Sequence, residues 1–213
     1  MSLFTLFVLY FTSFFTIINP LGVMPVFMTM TADISDADRR KTARKAVIVS
    51  FFTLIAFAFS GRILFDFFGI SVNSFRIAGG IIFFMIGYDM LQARLGKTKM
   101  SEGEVKKYVN DISVTPLAIP MITGPGAITN AIVLMKDSQT TEQKLLLFGV
   151  IFFVMLLTFL ILWGGSKITN FLGETGNKVL MRLMGLIVMV IAVEFFFSGL
   201  KPVLQDIFHI IPK

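Results

Sequence analysis

Residues Thr115 to Leu134 carry no charged side chain, yet they include Pro116, Pro120, Gly124, Pro125 and Gly126. The run is long enough to cross a bilayer as a helix, which takes about 20 residues. Proline removes a backbone donor and clashes with the turn before it, and glycine loosens the chain. Inside hydrocarbon, backbone freed in this way is tolerated only where it faces protein or a water-filled cavity. The earlier stretch Asn19-Pro20-Leu21-Gly22-Val23-Met24-Pro25 repeats the pattern, and the two segments hold five of the seven prolines. The sequence therefore places irregular, polar backbone at membrane depth twice.

The rest of the chain reads as support for these two breaks. With 55% hydrophobic residues, 15% charged residues and a mean hydropathy of +0.83, a soluble domain is excluded. The 213 residues leave room for about six spans. Expected spans cover 3–30, 46–61, 75–93, 115–134, 145–165 and 180–200. Interfacial connections are expected at 62–74 and 166–179, and a polar linker without a core at 94–111. Ser35 is the expected N-cap of the second span, with Asp36 and Asp38 in its first turn. The net charge of +6 sits in short loops beside apolar runs, which is no nucleic-acid footprint. The absence of cysteine excludes disulfides and thiolate metal sites, and no cofactor is implied. His209 reads as interfacial. The first apolar run is too long for a signal peptide and is expected to be retained.

A shift of about 105 residues aligns the halves. Pro20 meets Pro125, Gly61 meets Gly165, and Phe75-Arg76-Ile77-Ala78-Gly79 meets Met181-Arg182-Leu183-Met184-Gly185. The expected fold is an all-α polytopic membrane protein of six transmembrane helices, with spans 1 and 4 broken. Residues 1–93 form one three-helix repeat, 94–111 the cytoplasmic linker and 112–213 the second repeat. Three spans per half force the second copy to enter from the opposite side, so the repeats are inverted. Thirteen of the 19 Lys and Arg residues fall at 31–45, 94–111 and 166–182. By the positive-inside rule both termini then lie outside.

Discontinuous helices in inverted repeats are a design of secondary transporters. A helix starting at Pro20 or Pro125 offers free N–H groups to a carboxylate, and the carbonyls before each proline suit an ammonium. The expected solute-binding residues are Asn19, Pro20, Leu21 and Gly22 with Thr123, Gly124, Pro125 and Gly126. No Lys or Arg lies within either broken span, so the solute carboxylate is expected on backbone donors rather than on an arginine. Arg76 and Asp89 in span 3 and Arg182 and Glu194 in span 6 are expected gating or coupling residues. Antiparallel packing would pair Arg76 with Glu194 and Arg182 with Asp89.

Several of these segments together resemble the MarC family over nearly the whole chain. They are Asn19-Pro20-Leu21-Gly22 with Pro25 and Phe27, Phe68-Gly69-Ile70-Ser71 and Phe75-Arg76-Ile77-Ala78-Gly79-Gly80. With them go Pro116-Leu117-Ala118-Ile119-Pro120, Gly124-Pro125-Gly126-Ala127-Ile128 and Arg182-Leu183-Met184-Gly185. The resemblance implies a bacterial or archaeal inner-membrane protein of two inverted three-helix repeats, distantly related to LysE-type exporters. It further implies a small neutral amino acid, glycine or alanine, as a zwitterionic solute, with proton linkage and oligomerisation both open. Alternatives are an exporter of another small metabolite or drug and a non-transporting membrane protein. An enzyme is not expected: no His-Glu-x-x-His motif, cysteine nucleophile or aspartate cluster lies near the breaks.

Overall fold

The computed structural model describes residues 2–32, 34–69, 71–92 and 102–208, and every regular element among them is helical. In chain order these are α1 (Leu3–Ile18), α2 (Pro20–Met30), α3 (Asp36–Phe68), α4 (Val72–Leu91) and α5 (Glu102–Ile112). An irregular, wide-turned segment (Ser113–Ile122) leads into α6 (Pro125–Asp137) and α7 (Thr141–Phe208). Residues 94–101 of the expected linker, Ile70 of the family-like motif and the tail from His209 lie outside the described residues.

Five stretches are long and apolar enough to cross a membrane: Leu3–Met30, Asp36–Gly61, Asn73–Leu91, Thr141–Gly165 and Gly185–Phe208. Lys107–Ile122 and Pro125–Asp137, bent by 61° where they meet, make a sixth if counted as one. Large apolar side chains such as Phe52, Ile63, Phe67, Met85 and Val190 are exposed on the outside. Such a surface suits lipid and would be a liability in water.

Local chemistry sets the helix ends. The Ser35 side chain accepts from the Asp38 amide at 3.2 Å, with Asp36 and Asp38 in the first turn, as the sequence predicts. Ser71 does the same for α4, accepting from the Ser74 amide at 2.9 Å. Between them α3 ends at Gly69, whose φ of 61° needs a residue without Cβ. At the end of α2, buried Arg39 donates Nε to the Thr31 carbonyl at 2.7 Å and a terminal nitrogen to the Ala32 carbonyl at 2.8 Å. Carbonyls just beyond the last turn of α2 are thus taken up by a fixed cation.

Two expectations change. The connections at 62–74 and 166–179 are largely helical, because α3 runs on to Phe68 and α7 passes through 166–179. The linker is also not without a core: its second half is α5, with Val109 and Ile112 buried. Tyr108 on the same helix donates its hydroxyl to the Met30 carbonyl at 2.9 Å. Its apolar residues recur at helical spacing, which the surrounding charges obscure in the sequence.

α3 packs antiparallel to the first apolar stretch of α7. Phe51 and Phe59 of α3 meet Phe152 and Phe148 of α7, at centroid distances of 6.0 and 5.1 Å. The second apolar stretch of α7 runs against α4 with almost no side chain between the backbones. A Cβ on Gly80 would lie 2.8 Å from both the Ala192 carbonyl oxygen and the Phe196 amide nitrogen. One on Gly185 would lie 2.7 Å from the Gly87 carbonyl oxygen and the Leu91 amide nitrogen. A shift of 105 residues carries Gly80, Gly87 and Leu91 onto Gly185, Ala192 and Phe196, so the two contacts exchange. Similarly, Gly61 sits against Ile132 and Gly165 against Met28, a pair exchanged by a shift of 104.

Gly185→Val should therefore destabilise the protein by about 2–3 kcal/mol, the upper part of the usual range for forcing extra carbons into a packed contact. In a thermal melt of detergent-purified protein that is a fall of roughly 4–12 °C. Gly149→Ala, where an added Cβ meets nothing within 4 Å, should show no loss.

Candidate functional site

The site forms where two helix starts come together. α1 stops at Ile18 because Asn19 turns left-handed, with φ 47° and ψ 64°, and Pro20 opens α2 at its first position, where a missing N–H costs nothing. Asn19 is among the few side chains that tolerate this conformation. It also caps what it starts: its Oδ1 accepts from the Gly22 amide at 3.2 Å, and its carbonyl accepts from Gly22 and Val23 at 2.9 and 3.1 Å. Pro20 has no N–H to return to the Thr16 carbonyl four residues earlier.

The second start differs. Ahead of it, the segment Ser113–Ile122 has extended backbone at Thr115 and Ile119 and cis peptide bonds to Pro116 and Pro120. α6 then begins at Pro125 with Gly124 as its N-cap, and no side chain caps it. The Ile128 amide reaches the Gly124 carbonyl at 3.1 Å, and the amides of Gly126 and Ala127 have no partner among the described residues. A positive helix end with free donors is the result.

Both starts border one cavity of about 680 Å³. Such a volume lies within the ~300–1,000 Å³ typical of small-molecule sites. Thr16, Asn19 and Gly22 contribute from the first break, and Gly124, Gly126, Ala127, Thr129 and Asn130 from the second. Phe83 of α4 and Phe195 of α7, 5.7 Å apart between ring centroids, form an apolar wall. Asn130 is anchored by Ser13, whose hydroxyl donates to its Oδ1 at 2.8 Å, while its Nδ2 is buried without an acceptor.

Of the predicted solute-binding residues, Asn19, Gly22, Gly124 and Gly126 line this cavity. The others shape it from behind or point elsewhere. Pro20 is buried, Leu21 is exposed, and the Thr123 hydroxyl donates to the Ala118 carbonyl at 2.6 Å. Pro125 packs its ring on Gly79, where a Cβ would lie 2.4 Å from the ring.

The four charged residues divide. Arg76 lines the cavity, so a cation borders the broken segments although none lies within them. Asp89, Arg182 and Glu194 do not line it. Neither expected ion pair forms, since none of the four makes a contact within 4.0 Å to an opposite charge. The reason is azimuth. Asp89 is nine residues from Gly80, two and a half turns at 3.6 residues per turn, and so projects from the face of α4 opposite α7. Arg76 lies level with Gly199 on α7, where an added Cβ would be 3.0 Å from the Arg76 Cβ, rather than with Glu194. Sequence reasoning missed Asn130 and Ser198. An uncompensated amide four residues beyond Gly126, on the same helix face, was the available signal for Asn130.

The sequence matches the model of the MarC family, described as integral membrane proteins, over residues 4–204. This chain belongs to the MarC family. Among relatives, a UPF0056 membrane protein of Pyrococcus horikoshii is 39% identical over 195 residues, covering 92% of this chain and 94% of the relative. The UPF0056 membrane protein YvbG of Bacillus subtilis is 40% identical over 194 residues, covering 90% and 92%. One from Buchnera aphidicola subsp. Schizaphis graminum is 35% identical over 206 residues, covering 97% of each. No solved structure matches the chain. MarC membership makes this an integral membrane protein of a family found in bacteria and archaea, in keeping with its apolar helices and exposed apolar surface.

The dual role of Asn19 is testable by two substitutions. Asn19→Ala loses the cap, worth about 1 kcal/mol, and strains a left-handed residue by about 1–2 kcal/mol more. Asn19→Gly loses only the cap. In thermal melts, the alanine variant should fall clearly below the glycine variant.

Proposed function

We propose that the chain is a secondary transporter that moves small neutral amino acids across the cytoplasmic membrane. The cavity carries this reading. One wall offers the free amides of Gly126 and Ala127, and the other offers the Thr16 carbonyl, deprived of its helical donor by Pro20. Donors facing acceptors across a small space suit a zwitterion, whose carboxylate and ammonium need the two kinds of group at once. Phe83 and Phe195 leave an apolar surface for a short side chain.

In this proposal the halves are inverted repeats, spans 1 and 4 are broken at Asn19 and at Thr123–Gly124, and both termini lie outside. The exchanged glycine contacts of α4 and α7 support the repeat. Glu194, one turn from the cavity-lining Ser198, is the acid proposed for proton linkage. A chain without cysteine makes orientation simple to test, since a single cysteine placed at Ser2 should react with an impermeant thiol reagent from outside.

Counterflow in proteoliposomes tests the function. Glycine or alanine preloaded inside should drive uptake of the labelled amino acid, and Glu194→Gln should abolish stimulation by a pH gradient. Gly126→Val should abolish counterflow while the protein stays folded, because even the first added carbon would lie 3.1 Å from Ile17 Cγ2. No counterflow with any neutral amino acid would refute the proposal.

A further inference from the structure

We infer that Arg76 is the carboxylate anchor of this cavity, its guanidinium forming one oxyanion site with the free amides of Gly126 and Ala127. The inference rests on the amino acid reading and deepens it, but its chemistry concerns the carboxylate alone.

Position comes first. Gly79, one turn along α4 from Arg76, lies flush on the Pro125 ring that opens α6. Arg76 is therefore rooted about 4.5 Å of helix rise from the level of that helix start, at 1.5 Å per residue. Arg76 lines the same cavity as Gly126 and Ala127. Gly199 makes room for the arginine stem where it leaves the α4–α7 contact, since an added Cβ would lie 3.0 Å from the Arg76 Cβ. The close approach of the two helices thus directs the arginine towards α6.

Charge comes second. Among the described residues Arg76 makes no ion pair and no hydrogen bond, and no Asp or Glu lines the cavity. A fixed cation within a membrane-spanning stretch is costly, and such residues are paired or serve a ligand. Here the neighbouring groups add to the positive potential instead of cancelling it: the uncapped end of α6 and the acceptor-less Nδ2 of Asn130. The guanidinium of Arg76 and the amides of Gly126 and Ala127 are all donors, so the partner they call for is an acceptor carrying negative charge. A planar guanidinium meets a carboxylate through two parallel hydrogen bonds, and the α6 amides can complete its remaining lone pairs. The ammonium of an amino acid then falls towards the Thr16 carbonyl.

The test is equilibrium binding to purified full-length protein, by calorimetry, of alanine, propionate, alaninamide and inorganic phosphate. Alanine and propionate should bind and alaninamide should not, which examines the carboxylate requirement on the unmodified protein. Arg76→Gln should weaken both carboxylates at least tenfold, and Arg76→Lys should weaken them less. A melting temperature near that of the unmodified protein identifies the variants that have folded. Propionate binding without alanine binding would sink the amino acid reading and leave the anchor standing. Equal binding of alanine and alaninamide, undiminished affinity in folded Arg76→Gln, or binding of phosphate alone would overturn the anchor. So would the failure of every carboxylate to bind.

Discussion

Backbone amides and carbonyls that a proline or glycine frees from a helix need partners, and lipid supplies none. That single constraint organises this chain. Around Asn19 most of the need is met locally, by an asparagine that turns the chain and caps the next helix. Around Thr123 it is met in part, by the Thr123 amide and hydroxyl returning to the Ala118 carbonyl. Both helix starts border one cavity. Residues of α1, α2, α4, α6 and α7 line it.

Glycine supplies the means of enclosure. Without a hydrophobic force between helices in lipid, close backbone approach and dispersion hold them together. The α4–α7 contact through Gly80, Gly87 and Gly185 is as close as backbones come, and it fixes the axial register of both helices. Register then decides which side chains reach the cavity: Arg76 and Phe83 from one helix, Phe195 and Ser198 from the other.

The breaks were legible in the sequence because proline chemistry is local: Pro20 and Pro125 each dictate a helix start wherever they lie. The sequence matched Gly61 with Gly165 and Gly79 with Gly185; in the structure Gly61 and Gly165 both sit in tight contacts, and it is Gly80, one residue on, whose α7 contact exchanges with that of Gly185. The charged pairs were misread for a geometric reason. Matching Asp89 to Arg182 used distance along the helix axis and ignored rotation about it, and half a turn separates a contact from its opposite face. Arg76 escaped notice because its place in the cavity depends on which helix neighbours α6, and a single sequence does not state helix adjacency. α5 was hidden by its own charges, which surround a narrow apolar stripe.

The two helix starts are alike in sequence and unlike in what they leave available. At α2 the Asn19 side chain occupies the Gly22 amide, while at α6 no side chain does the equivalent service. One half of the chain is stoppered by its own residue and the other is left open. In the transporter proposed above, the two helix starts thus offer a single seat for the carboxylate, not a matched pair. Saturation of an isolated chain would then follow a simple hyperbola, and any sigmoidal response would have to arise between chains rather than within one.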